Sequence, residues 1–264
     1  MAGKLFGDMN LVHDDYLTFG GCSGSGPTQL IGSDGERSGF EPAVAEAIGR
    51  QLGVGVRWKT LEWTDLYPSL EDGRIDGVFY NQAITPERLE KADFTEPYGV
   101  FHEAILVAKD SPVRGLPDLV GLRVGAVRQT TNLTLAEAIP GAEVVPYAPS
   151  VEDFHTMVDD VLLGRIDALV DDELFLEQYV AKGYRIAFTV KTHNPYGIAV
   201  RKDSALRSAL NGALRTVRES GELEQIWNSA FPHTPYEQPT PKPDNDHASL
   251  RAILAGPDAI RVRD

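Results

Sequence analysis

The chain has 264 residues, 42% of them hydrophobic, which is enough for two modest domains each with its own core. Its 25 basic and 39 acidic residues leave a formal net charge of -14, and that balance excludes nucleic acid as a partner, because affinity for a phosphate backbone comes from clustered Lys and Arg. A lone cysteine, Cys22, rules out an intramolecular disulfide, and with no CxxC or Cys/His cluster neither a metal nor a cofactor is expected.

Residues 1–16 carry Lys4, Asp8, His13, Asp14 and Asp15 and lack the unbroken apolar run of a signal peptide. Either a leader was removed, with work in the periplasm or outside the cell, or Met1 is the native start and the protein is cytoplasmic. No later stretch approaches the roughly 18 apolar residues of a spanning helix, so a soluble chain is expected.

Residues 16–20 form a strand candidate. Phe40, Val44, Ile48 and Leu52 make a helix face ending at Gly53, and Val54, Val56 and Trp58 alternate as the next strand. Leu66 and Leu70 sit one helical turn apart before Gly73-Arg74-Ile75-Asp76-Gly77, which leads into Val78-Phe79. The device recurs: Val151, Phe154, Val158 and Leu162 precede Gly164-Arg165-Ile166-Asp167-Ala168 and Leu169-Val170. Each copy predicts a helix, a glycine stop and a short buried strand. Between the copies, residues 122–127 predict a strand, residues 133–139 a helix stopped by Pro140-Gly141, and Val144-Val145 a strand.

Two β-α-β-α-β halves emerge, each with a mainly parallel sheet, and ligands of such sheets bind beyond the carboxyl ends of the strands. Two sheets place the natural site in the crevice between them. After the second half, residues 196–200 predict a strand, Leu206, Leu210, Leu214 and Val217 a helix face, and Leu223, Ile226 and Trp227 a further helix. Past Pro232 the prolines at 235, 239, 241 and 243 describe a linker. A short helix over residues 248–255 ends it, and residues 236–264 are expected to be dispensable for ligand binding.

The residues of Gly39-Phe40-Glu41, Leu66-Tyr67-Pro68-Ser69-Leu70, Ile84-Thr85-Pro86-Glu87-Arg88, Asp93-Phe94-Thr95-Glu96-Pro97-Tyr98 and Pro195-Tyr196-Gly197-Ile198-Ala199-Val200-Arg201-Lys202 resemble, in order and spacing, the polar amino acid family of ABC-transporter solute-binding proteins, family 3. The likeness runs over about residues 16–232. It implies the two-lobed α/β fold of type II periplasmic binding proteins: residues 16–98 and 197–232 in lobe 1, 103–193 in lobe 2, hinges at 99–102 and 194–196, and a Pro-rich tail at 233–264. It also implies a monomer that closes on a small polar carboxylated solute and serves the membrane component of an ABC importer.

Residue by residue, the resemblance gives Arg88 the ligand's α-carboxylate, for which a bidentate guanidinium is suited; the alternative is a surface arginine paired with Glu87 or Glu90. Asp172 would receive the ligand's ammonium, flanked by Asp171 and Glu173; a solvated acidic helix start would look the same. Thr130 and Thr131 match a Gly-Thr-Thr turn that takes up the carboxylate, or are ordinary helix caps. Gln129 replaces that turn's glycine, with Arg128 before it. In the segment Asn81, Gln82, Ala83 a carboxylate-binding hydroxyl is missing at Ala83. Cys22 falls where an acidic ammonium partner is common and Ser25 where an aromatic platform usually lies. Those losses favour a small polar carboxylate, with at most one cationic nitrogen directed at Asp172, over phenylalanine, leucine or histidine.

The Gly-rich loop at residues 21–26 matches neither the dinucleotide fingerprint nor the P-loop spacing, and it forms no GxSxG elbow. The competing functions are an enzyme on the same fold, resembling a cyclohexadienyl dehydratase with a general acid among Asp171, Asp172 and Glu173, and a ligand-sensing module.

Overall fold

The computed structural model describes residues 9–23, 26–239 and 247–262, with only the main chain at Pro27. In chain order the elements are β1 (Tyr16–Gly21), β2 (Leu30–Ile31), β3 (Arg37–Ser38), α1 (Phe40–Leu52), β4 (Gly55–Thr60), α2 (Leu66–Glu71), β5 (Gly77–Val78), α3 (Pro86–Lys91), β6 (Asp93–Phe94) and β7 (Gly99–Ala108). They continue as β8 (Arg123–Val127), α4 (Thr131–Ala138), β9 (Glu143–Tyr147), α5 (Val151–Leu162), β10 (Ala168–Asp172), α6 (Glu173–Leu176), β11 (Tyr184–Tyr196), β12 (Ala199–Val200), α7 (Leu206–Glu219), α8 (Glu222–Ala230), α9 (His247–Leu254) and β13 (Ile260–Val262). The chain divides into two compact units, Met1–Val100 with Pro195–Thr240 and Phe101–Asn194 with Pro241–Asp264. No helix among the described residues is long and apolar enough to cross a membrane.

The first unit holds a five-stranded sheet in the order β4-β1-β5-β12-β6. β1 pairs in parallel with β4 and β5, as two consecutive βαβ units demand. The return strand β12 is antiparallel to both β5 and β6, so the sheet is parallel only in its older-numbered half. Residues 196–200, expected as one strand, are two: β11 ends at Tyr196, and the chain turns before β12 so that Gly197 can donate its N–H to the Gln82 carbonyl at 3.0 Å. The apolar face of α1 buries Phe40, Val44 and Ile48, and the helix stops at Gly53, whose φ of 71° lies in the left-handed region that glycine adopts at no steric cost. Phe40 meets Trp227 edge-on at 5.1 Å and Phe231 at 5.4 Å, which ties α1 to α8.

The second unit is built on a six-stranded sheet, order β13-β11-β7-β10-β8-β9. β8 is parallel to β9 and β10, whereas β10 is antiparallel to β7 and β11 to β13. One face carries α4 and α9, where Leu135, Ala136, Leu250 and Leu254 pack with Ile105, Val107, Phe188 and Val190. The other carries α5, whose Met157, Val158 and Val161 pack with Leu169 and Tyr184.

The C-terminal residues depart from expectation. Rather than a dispensable tail following a linker, residues 247–262 form α9, whose Leu250 and Leu254 are buried in the second core, and β13, which extends the sheet. The prolines that suggested a linker stand at or before the segment outside the described residues, and the apolar positions after them had a surface waiting.

The repeated Gly-Arg-Ile-Asp device has one physical purpose in both units. Asp76 gives its N–H to the Thr18 carbonyl at 2.7 Å and takes the Thr18 N–H on Oδ2 at 2.7 Å. Asp167 gives its N–H to the Arg123 carbonyl at 2.9 Å and takes the Arg123 N–H on Oδ2 at 2.9 Å. Each aspartate thus brackets one residue of the first strand of its half and sets where the next strand begins.

Candidate functional site

In the first unit, Arg88 lies in α3 and is half-buried. Thr85 caps that helix by accepting the Arg88 N–H at 3.3 Å, which aims the first turn back toward the loop after β5. The Arg88 guanidinium donates from Nη1 to the Ala83 carbonyl at 3.0 Å and stands 5.5 Å from the ring centre of Trp63. Its suspected partner Glu87 is instead held by Lys91 at 2.9 Å, and no carboxylate among the described residues pairs with Arg88. An arginine fixed by a backbone carbonyl and an aromatic face keeps donors for an incoming anion.

The loop carrying Asn81, Gln82 and Ala83 is tied down by hydrogen bonds on both sides. Gln82 is buried; its amide donates to the Tyr80 carbonyl at 2.6 Å and accepts from the Tyr67 hydroxyl at 2.9 Å. Asn81 has a φ of 47°, its N–H donates to Glu41 Oε1 at 2.7 Å, and its Oδ1 is buried without a hydrogen-bond partner. Ala83 lacks a hydroxyl, and its contribution is the carbonyl that orients Arg88.

Beneath that loop runs a buried polar ladder. Arg37 donates to Gln29 Oε1 at 2.5 Å and to the Cys22 carbonyl at 2.9 Å, Gln29 donates to Glu41 Oε2 at 2.6 Å, and Glu41 also accepts from the Tyr98 hydroxyl. Glu41 is fully buried, and that burial pushes its carboxyl up to about 7 against the hydrogen bonds from Tyr98, Asn81 and Gln29. Cys22 is buried among Leu66, Leu70 and Tyr80, and burial, with Glu62 nearby, pushes its thiol up to about 12, so it offers no charge to a ligand. Ser25 lies outside the described residues. An aromatic face stands on another element: Trp63 lies beside Arg88 and 6.4 Å from the Tyr80 ring.

In the second unit, Thr130 caps α4: its Oγ1 accepts the Leu133 N–H at 3.3 Å and donates to the Val127 carbonyl at 2.6 Å. Thr131 opens the helix. Gln129, exposed, sits at φ 62°, a left-handed conformation that suits glycine and costs other residues roughly 1–2 kcal/mol. The Arg128 side chain is exposed, while its N–H donates to the Tyr147 carbonyl at 3.0 Å.

Asp171 and Asp172 end β10, both buried, with Asp172 directly opposite Glu103 of β7. Burial, together with the charge of Glu103, drives the Asp171 carboxyl well above the ordinary carboxylate range, although the Asp172 N–H and the Asn132 amide favour its charged form. The Asp172 N–H donates to Asp171 Oδ1 at 2.7 Å. Glu103 is itself buried and accepts from Thr192 Oγ1 and Asn194 Nδ2. Glu173, expected to join the ligand set, has its Oε1 engaged by Thr189 at 2.6 Å and Arg261 at 2.5 Å.

The unit therefore brings Asn132 and Glu103 to Asp171 and Asp172, with Thr130 capping the helix that carries Asn132. Sequence reasoning missed Glu103, Asn132, Trp63 and the Arg37-Gln29-Glu41 ladder. A glutamate directly before an apolar run, Ala104 to Val107, was the available signal for the first.

Comparison with known proteins agrees with this frame. The family model for bacterial extracellular solute-binding proteins, family 3, matches residues 17–233. A probable histidine-binding protein of Neisseria gonorrhoeae is 31% identical over 212 residues, covering 78% of this chain and 79% of that protein. An L-arginine-binding protein of Pseudomonas aeruginosa is 31% identical over 221 residues, covering 78% and 83%. Among solved structures, an ancestral arginine-binding protein bound to arginine superposes with a TM-score of 0.73 at 30% identity, covering 82% of this chain and 98% of that one. The α/β fold with two sheets is accordingly that of the type II periplasmic amino-acid-binding proteins. The chain belongs to the bacterial extracellular solute-binding proteins, family 3.

Proposed function

We propose that this protein reversibly captures a small polar amino-acid-type solute outside the cytoplasmic membrane, as a single chain, and delivers it to the membrane component of an ABC importer. The observation that carries the reading is Arg88: a half-buried guanidinium oriented by Ala83 and Trp63, with no carboxylate partner among the described residues, suits a ligand carboxylate. In the second unit, Thr130 caps the start of α4, where main-chain N–H groups and the Thr131 hydroxyl suit a carboxylate. Asp172, with Asp171 and Glu103 near it, favours a cationic nitrogen on the ligand. Relatives named for histidine and arginine binding support that class of ligand.

A thermal-shift screen of the twenty amino acids with hydroxy acids and amides, followed by calorimetry, tests it. A true ligand at a hundredfold excess over its dissociation constant adds about 2.7 kcal/mol to folding stability. A small polar zwitterion whose cationic nitrogen can meet Asp172 is expected to give the largest shift, and Arg88→Ala to abolish it. No shift with any carboxylate, or an Arg88→Ala affinity within twofold of the parent, overturns the reading.

A further inference from the structure

Residues 247–262 lie beyond the family match at residues 17–233, yet they reach the acidic end of β10. β13 runs antiparallel to β11 with Arg261 directly opposite Thr189, so the two side chains stand on one face of the sheet. Both converge on one atom. Thr189 Oγ1 donates to Glu173 Oε1 at 2.6 Å and Arg261 Nη2 donates to the same oxygen at 2.5 Å. The Glu173 side chain is 1% exposed and that of Arg261 35%, so a cation at the rim reaches inward to a buried carboxylate. The segment leading to the contact is anchored twice, by Leu250 and Leu254 in the core and by the Lys191 N–H to the Ala259 carbonyl at 2.9 Å.

Glu173 follows Asp172 directly and opens α6, so its carboxylate fixes the turn on which Asp171 and Asp172 stand. A buried carboxylate stripped of its hydrogen-bonded cation has to take up a proton or move toward water. Either response disturbs the residue next to it.

We propose that Arg261 is a positioning residue for solute recognition: through its junction with Glu173 and Thr189, the C-terminal strand holds the Asp171–Asp172 end of β10 in its binding conformation. This rests on the reading of Asp172 as a ligand residue.

The test uses the full-length protein with L-arginine as calorimetric probe, and hydrogen exchange over residues 168–176 as a readout independent of any ligand. Arg261→Ala is expected to weaken L-arginine binding tenfold or more and to speed exchange in that segment about tenfold, with Arg261→Lys recovering most of both. Ile260→Ala, which loosens the same strand but keeps the ion pair, controls for stability and should leave affinity within twofold. Unchanged exchange in Arg261→Ala overturns the proposal, as does an equal loss of affinity in Ile260→Ala. If the parent protein does not bind L-arginine, the proposed ligand class fails, while exchange at 168–176 still decides whether the clamp exists.

Discussion

At the scale of single residues, the first unit sets a fixed cation beside a buried acid ladder. Arg88→Lys should retain the fold but not the affinity, because an ammonium cannot donate to the Ala83 carbonyl and to a bidentate carboxylate together; calorimetry should show a loss of tenfold or more. Glu41 predicts a pH dependence of stability. Its folded carboxyl keeps a proton up to about 7, while the unfolded carboxyl releases it near 4.5. The native state therefore binds the extra proton between those points, and stability falls as pH rises through that window, by up to about 3 kcal/mol. Denaturant unfolding at pH 5 and pH 8 should show this slope, reduced in Glu41→Gln. Asp171 acts in the same direction, so some slope persists in that variant.

At the scale of elements, the two aspartates of the repeated device do equivalent jobs in unequal surroundings. Asp76 is buried and accepts two backbone N–H groups, from Val12 at 2.8 Å and Thr18 at 2.7 Å. Asp167 is partly exposed and leans on the Arg123 side chain, with Nε at 3.0 Å and Nη2 at 3.0 Å. Removing Asp76 leaves buried donors without an acceptor, whereas water can reach the donors Asp167 leaves. Asp76→Ala should thus cost about 2–3 kcal/mol and Asp167→Ala about 1 kcal/mol, read from urea unfolding. The recurrence was legible in the sequence as a motif. Its meaning, a clamp on the first strand of each half, needed the pairing.

At the scale of the whole molecule, the C-terminal segment is part of the second unit rather than an appendage. Truncation after residue 239 removes α9 and β13 and uncovers the surface under Leu250 and Leu254. Each buried leucine stabilises by about 1.5–3 kcal/mol, so a fall in melting temperature of ten degrees or more is expected. Leu250→Ala should reproduce part of it, about 2–5 kcal/mol. A truncated chain that melts like the parent would return the segment to the status of a tail.

What the sequence by itself determined was local and periodic. The apolar stripe of α1 and its stop at Gly53, the strand alternation of β4, and the two Gly-Arg-Ile-Asp junctions follow from side-chain spacing and backbone freedom over a few residues. The ordered motifs carried the family as well. What only the tertiary structure decided depends on which distant surfaces meet. Pairing placed Glu103 opposite Asp172 and Arg261 against Glu173, and packing brought Trp63 beside Arg88, across sequence separations that no local pattern encodes. The C-terminal helix shows the limit most plainly. Eight residues with two buried leucines are too short to be stable alone in water, so whether they fold is settled by the apolar face of α4 that receives them.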